Sequence, residues 1–338
     1  MSTVFHILLL LSGIWLNTYG IVYASSFCIK NDTLIIDQPI IDPSIIDQSG
    51  RKIVVNKPFK RIISLYGAHT ENLFALGLDE EIIGVARNEV YPEKALLKPV
   101  FSYHDGPEKF LAATPDLVLV RPMIDRGYPQ LMQRLEQNGI TVCSIQPATI
   151  EEMFLYWKIL GILTGKKEKA SEVTAHFKQS VSLFEVITKQ IKNKKRVYFE
   201  AIHKRMKTFS SNSMAVFALE KAGGINIAKD AKQVRNTNIA AYGKEKILSH
   251  ASEIDVFLAQ YGTMNRPSLS LIKNEPGFSL IKAVQNGEIY IIDEMIVCRP
   301  TSRLLNGIYE IGRILYPDYF NKNVEAAIIT GGLLLKEL

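Results

Sequence analysis

From residue 61 onward, short apolar runs alternate with stretches that carry one apolar face. RIISLY (61–66), EIIGV (81–85), DLVLV (116–120) and ITVCSI (140–145) are bounded by breakers and read as buried strands. Between them the spacing predicts helices over about 71–76, stopping at Gly77, over 107–113 with Pro107 in the first turn, and over 128–138, ending at Gly139. This alternation implies an α/β fold with a mainly parallel central sheet covered on both faces.

A longer helical pattern follows, about 166 to 192. Ala170, Val173, Phe177, Val181, Phe184, Ile187 and Ile191 fall at steps of three and four and form one apolar stripe. Such a helix spans roughly 40 Å at 1.5 Å per residue, which suits a strut between two lobes. The alternation then restarts with strands RVYFEAI (196–202), DVFLAQY (255–261) and EIYIID (288–293), a helix over 213–224 and a closing helix over 303–317. The expected organisation is a first lobe at 51–160, a connecting backbone helix at 161–193 and a second lobe at 194–338.

Upstream of this pattern, residues 1–24 have an apolar core from Phe5 to Leu16 and small residues at a plausible cut after Ala24, the layout of a secretory signal. The run is shorter than the ~20 residues of a spanning helix. Residues 25–50 include LIIDQPIIDPSIIDQ, in which IID recurs every five residues, a period of neither strand nor helix. An extended linker is expected there, and Asp37, Asp42 and Asp47 lack the spacing of a calcium loop. The three cysteines, Cys28, Cys143 and Cys298, give no disulfide framework. Phe27 before Cys28 argues against a lipid anchor, so a free, monomeric periplasmic protein is expected.

The formal charge is +6, but the basic residues do not gather in one tail, so nucleic-acid binding is not expected. The densest basic run, KNKKR (192–196), reads as a solvated connection.

Four segments together resemble one known family. They are GRKIVVNKPFKRIISLYGAHTENLFALGLDEEIIGV (50–85), PEKFLAATPDLVLV (107–120), ALEKAGGINIA (218–228) and PGFSLIKAVQNGEIYIID (276–293). In order and spacing they resemble the ABC-transporter substrate-binding proteins of the iron-siderophore, haem and cobalamin class. These are bilobed receptors with a single helical backbone between the lobes. Phe278 stands where the family usually has tryptophan, and the IID segment has no family counterpart. The resemblance implies a receptor without enzymatic activity or resident cofactor. Such a receptor holds a metal chelate between its lobes and passes it to a permease. It also implies an exposed glutamate on each lobe that docks on permease arginines; Glu71 matches the first by position and Glu220 is the nearest match for the second.

Open parallel sheets bind ligands beyond the carboxyl ends of their strands. The residues placed there are Tyr66, Gly67, His69, Arg87, Tyr103, His104, Arg121, His203, Arg205, Tyr261 and Arg299, with Met206, Cys298 and Arg303 nearby. The arginines offer planar forks for carboxylate or catecholate oxygens. The tyrosines could stack on a planar ligand. Two other readings stay open. His69, His104 and His203 could together bind a bare transition-metal ion. A secreted hydrolase could pair His69 with Ser64 or Ser210, although no GxSxG or HExxH motif is present.

Overall fold

The computed structural model describes residues 25–30, 33–39, 44–234, 237–321 and 324; the expected signal segment lies outside the described residues. The first central sheet has five strands, β5 (Ile62–Ser64), β6 (Ile82–Ala86), β7 (Val100–Phe101), β8 (Leu117–Val120) and β9 (Thr141–Ser144), in the order β7-β6-β5-β8-β9. Every pairing in it is parallel. The second sheet contains β10 (Arg196–Ile202), β11 (Lys207–Phe209), β12 (Ile225–Asn226), β13 (Lys232–Gln233), β14 (Ile239–Ala241), β15 (Val256–Tyr261) and β16 (Ile289–Asp293). There β12, β10, β15 and β16 run parallel, and β11 turns back between β10 and β14.

The helices of the first lobe are α1 (Gly67–Ala75), α2 (Pro107–Ala113), α3 (Pro122–Gly127) and α4 (Pro129–Gln137). Helices α5 (Ile150–Thr164) and α6 (Lys167–Thr188) stand between the sheets. The second lobe carries α7 (Met214–Lys221), α8 (Lys244–Ser249), α9 (Leu269–Lys273), α10 (Lys282–Gln285), α11 (Glu294–Val297) and α12 (Leu304–Leu315). The strands and helices expected from the pattern are present to within a few residues, apart from α1 and the strut.

The strut is two helices. α5 begins at Thr149, whose hydroxyl accepts from the Glu152 N–H at 3.3 Å, while the Glu152 carboxylate accepts from the Ala148 N–H at 2.7 Å. This reciprocal cap is a strong start signal. α5 ends at Gly165, which has φ +71°, a conformation that favours glycine. The chain then reverses into α6, and Gly161 lets the two helices close up, because a Cβ there would lie 2.8 Å from that of Ala170. α6 has 22 residues, about 33 Å of rod. Its stripe joins the lobes. Phe177 packs edge-on to Trp157 of α5 at 5.5 Å and stacks with Phe217 of α7 at 6.4 Å, and Phe184 stacks with Phe320 at 5.9 Å. One apolar core therefore runs unbroken from Ile62 through Trp157, Phe177 and Phe184 to Val197 and Ile308.

The expected linker at 25–50 is not a free connection. β1 (Ser25–Lys30), β2 (Thr33–Pro39), β3 (Ser44–Ile46) and β4 (Lys52–Val54) pair as a four-stranded sheet in the order β2-β1-β3-β4. The chain after β3 is fastened to the first lobe by Asp47. Its carboxylate accepts from the backbone N–H groups of Ser49, Arg51 and Ser144 at 2.8–2.9 Å. The Gln48 side chain accepts from the Gln146 N–H at 2.6 Å and donates to the Gln146 carbonyl at 3.0 Å. Arg51 then forks onto Asp125 at 2.6 and 2.9 Å. Asp47 thus serves the backbone and the Arg51 guanidinium, at 3.4 Å, rather than a metal ion.

Because the apolar seam is shared, Phe177→Ala should cost about 3–5 kcal/mol, with both lobes still melting in one urea transition. Two separated transitions in the wild type would contradict the shared core.

Candidate functional site

The loop from Cys298 to Arg303, between α11 and α12, reaches across to α1 and supplies the junction of the lobes. Arg299 Nη1 lies 2.5 Å from Glu71 Oε1, and Arg303 Nη1 is 3.5 Å from the same oxygen. The Pro300 carbonyl accepts from Asn72 Nδ2 at 3.0 Å and from Trp157 Nε1 at 3.4 Å. Arg303 also covers the Tyr91 ring at 4.2 Å. Gly67, the first residue of α1, makes this approach possible: a Cβ there would sit 2.4–2.9 Å from the Arg299 guanidinium. A helix N-terminus disfavours a cation, and the buried Glu71 carboxylate compensates.

Beside this pair stands Arg121, at the end of β8. Its guanidinium lies 4.9 Å from the centre of the Tyr66 ring, and its Nε is buried without a hydrogen-bond partner among the described residues. Tyr66 precedes α1 in extended conformation as its N-cap residue. Burial pushes the Tyr66 phenol upward and keeps it neutral.

From the second lobe, Cys298 Sγ contacts Gln260 Oε1 at 3.1 Å, and Asn265 links the Gln260 carbonyl to Glu200 at 3.0 and 3.3 Å. His203, at the end of β10, is held between Glu200 at 2.7 Å and Glu275 at 3.4 Å. The Glu200 hydrogen bond raises its pKa above the ordinary imidazole range. The crossing loop thus touches both lobes, through Arg299 at the start of α1 and through Cys298 at Gln260 of β15.

The structure brings Tyr66, Gly67, Arg121 and Arg299 together. Arg87 and Arg205 are exposed at the carboxyl ends of β6 and β10, and Tyr261 is half exposed at the end of β15. Tyr103 and His104 form a separate aromatic group with Tyr128, whose hydroxyl is 3.1 Å from His104 Nδ1. They line a groove of about 530 Å³ with Asp105, Leu131 and Arg134.

Two expectations need correction. His69 does not point at a ligand; it is fully buried beneath α1. Its Nε2 bonds the Val120 carbonyl at 3.2 Å, which assigns the proton there and makes Nδ1 the acceptor of the Tyr156 hydroxyl at 2.6 Å. Burial lowers its pKa to about 3, so it is neutral. Its role is to pin α1 to β8 and α5. The zinc-type triad fails on the same ground: His69 is interior, His104 exposed and His203 enclosed by two carboxylates. Among the described residues no cluster of three His, Cys, Asp or Glu could hold a metal ion. Ser64 is buried, with its hydroxyl committed to Tyr66 and Thr70, and both His69 ring nitrogens are taken by Val120 and Tyr156, so the structure pairs His69 with neither Ser64 nor Ser210.

The second correction concerns the docking glutamates. Glu71 is 2% exposed and paired with two arginines. Glu220 is exposed, but it ends the helix that leads into β12, whose partner is Arg196 at the start of β10. It therefore lies at the end of the lobe opposite the cleft. Sequence reasoning passed over Glu89, Tyr91 and Asn72. Glu89 and Tyr91 follow β6 as Arg87 does, and the strand-end rule that selected Arg87 reaches them too.

A sequence profile of the family described as "Periplasmic binding protein" matches residues 62–295. An uncharacterized ABC transporter substrate-binding lipoprotein of Bacillus subtilis, YvrC, is 24% identical over 281 residues, covering 82% of this chain and 87% of the relative. A vitamin B12-binding protein of Vibrio campbellii is 26% identical over 262 residues, covering 76% and 89%. A crystal structure from Staphylococcus epidermidis, described as a possible iron-binding periplasmic solute-binding protein, has a TM-score of 0.67 at 26% identity, covering 77% and 100%.

Removing Glu71 leaves two guanidiniums in the junction that are 14% and 12% exposed. Glu71→Ala should therefore destabilise the fold by about 3 kcal/mol or more, read as a lower urea midpoint. An unchanged midpoint would return Glu71 to the role of a surface contact. The match over most of the chain, on a bilobed fold with its strand ends meeting at one crossing loop, shows that this protein belongs to the periplasmic binding protein family.

Proposed function

We propose that the protein is the extracytoplasmic receptor of an ABC importer, capturing an anionic metal chelate between its lobes and releasing it to a permease. The observation that carries the ligand class is the convergence of Arg121 and Arg299 on Tyr66 and the α1 N-terminus. Two planar cations, one with an unpartnered buried Nε, meet an aromatic face at the start of a helix. This combination suits a ligand with a planar or ring-bearing body and acidic oxygens. The Vibrio campbellii relative is named for vitamin B12 and the Staphylococcus epidermidis structure is described as a possible iron-binding protein, and both support a metal-chelate cargo. Export to the periplasm, with the leader removed after Ala24 and no lipid on Cys28, belongs to the same reading, as does a monomeric state. The receptor performs no reaction; its work is differential affinity.

The test is a titration of the purified protein with haemin, a ferric tris-catecholate, cyanocobalamin and Zn²⁺. The readout is fluorescence of Trp157, whose indole touches the crossing loop. One chelate should bind, Arg121→Ala should weaken it by tenfold or more, equivalent to about 1.4 kcal/mol, and Zn²⁺ should have no effect. Zinc binding lost on His203→Ala, or chelate affinity indifferent to Arg121, would contradict the reading.

The docking carboxylates are reassigned on position. Glu108, in the first turn of α2, and Glu245, in the first turn of α8, are both exposed. α2 follows a parallel strand, and β14 runs parallel to β10 because each is antiparallel to β11. Both helix starts therefore lie on the cleft rim, one per lobe. Glu108→Lys with Glu245→Lys should abolish uptake in a reconstituted transporter while ligand affinity stays within twofold. Full uptake by that double variant, or its loss on Glu220→Ala, would overturn the reassignment.

A further inference from the structure

Glu89, in the loop leaving β6, has no task in the account so far. It is 7% exposed, and neither carboxylate oxygen has a well-formed hydrogen bond among the described residues, although the Thr70 hydroxyl and the Ala86 backbone N–H lie on the side that favours its charged form. A buried ionised carboxylate in that condition is costly unless a ligand or a proton attends to it.

The groups facing it come from three elements. α1 contributes Glu71 and Thr70, and the crossing loop contributes Arg299. On its own loop, Tyr91 carries Arg303 over its ring at 4.2 Å. Arg299 is its nearest opposite charge, yet the Arg299 Nη1 is bonded to Glu71 at 2.5 Å. Glu71 and Glu89 thus share one guanidinium, and only Glu71 is directly bonded to it. With Arg121, the junction holds three guanidiniums and two carboxylates. Protonation of Glu89 would raise the local charge from +1 to +2 and release part of the hold on Arg299.

We propose that Glu89 is a proton-dependent selector for the cleft: binding of an anionic ligand draws a proton onto its carboxyl, so that capture of the anion and uptake of one proton are a single linked event. The proposal rests on the reading of the cleft as an anion site. The ligand-free protein is already poised for it. Burial, ahead of the opposing pull of Arg299, lifts the Glu89 pKa to about 7 from an ordinary 4.5. A raised folded value means the folded state holds the proton more tightly than the unfolded chain. Glu89 therefore adds stability in acid, which is lost as pH rises from 4.5 through about 7. A ligand anion beside Arg121 and Arg299 lifts the value further, and proton uptake spans the interval between the free and bound values.

The experiment has two arms. In the ligand-free protein, the carbon-13 carboxyl resonance of Glu89, identified by its absence in Glu89→Gln, should titrate with a midpoint near 7. A midpoint below 5 overturns the proposal. In the second arm, a ferric tris-catecholate is titrated between pH 7 and 9. The wild-type affinity should weaken as pH rises, approaching tenfold per pH unit for one proton, while Glu89→Gln stays flat. A pH dependence that persists in Glu89→Gln, or a wild-type affinity already flat, overturns the selector and leaves the anion cleft standing. Absence of binding by either protein at every pH removes the anion cleft and the selector with it.

Discussion

Two parallel sheets can aim their carboxyl ends at one space only if something fixes the gap between them, and here that constraint is the buried pairing of Glu71 with Arg299 and Arg303. It ties the first helix of one lobe to the last loop of the other at 2.5 and 3.5 Å. The Pro300 carbonyl, held by Asn72 and Trp157, makes the tie directional. Behind it, the α6 stripe provides a continuous apolar seam from sheet to sheet. A receptor built this way resists wide hinging, because opening would expose both a charged junction and a shared core. Ligand capture must then come from small movements of loops and side chains rather than from large closure.

The same junction gives the cleft its character. Burial works against the ionised carboxylates there: it pushes Glu71 and Glu89 upward, and neighbouring guanidiniums, with Thr301 at Glu71 and with Thr70 and the Ala86 N–H at Glu89, oppose it. The arrangement keeps cations in slight excess at the start of α1, where helix amides also favour negative charge. The fold positions these charges with little strain. Gly67 removes the one Cβ that would block Arg299, and the side chains on either side of it come from regular strand ends.

Much of this was legible in the sequence, and the gaps have physical causes. Helix 107–113 is bounded by Gly106 and Pro115, and strand 196–202 by charged residues on either side of one largely apolar run. α5 was missed because it is apolar on nearly every face, with Met153, Tyr156, Trp157, Ile159, Leu160 and Leu163 all buried. A helix enclosed by other elements shows no stripe. α1 starts four residues earlier than its periodicity implied, because Tyr66 caps it without a side-chain acceptor and Gly67 at its first position imitates a break. Strand-end position singled out Tyr66 and Arg121, which the structure brings together with Arg299 of the loop after α11. It could not separate His69, whose ring turns inward to two buried acceptors, from residues that face the cleft. Glu71 failed likewise: a carboxylate on a short helix is ordinarily solvated, and its burial depends on arginines more than 220 residues away in sequence, at 299 and 303.

The central claim is that loops of both lobes share one ligand. Hydrogen–deuterium exchange with and without the chelate identified by titration tests it most directly. The account predicts slowed exchange together at 66–70, 121–123, 203–206 and 298–303. Protection confined to one lobe would contradict it.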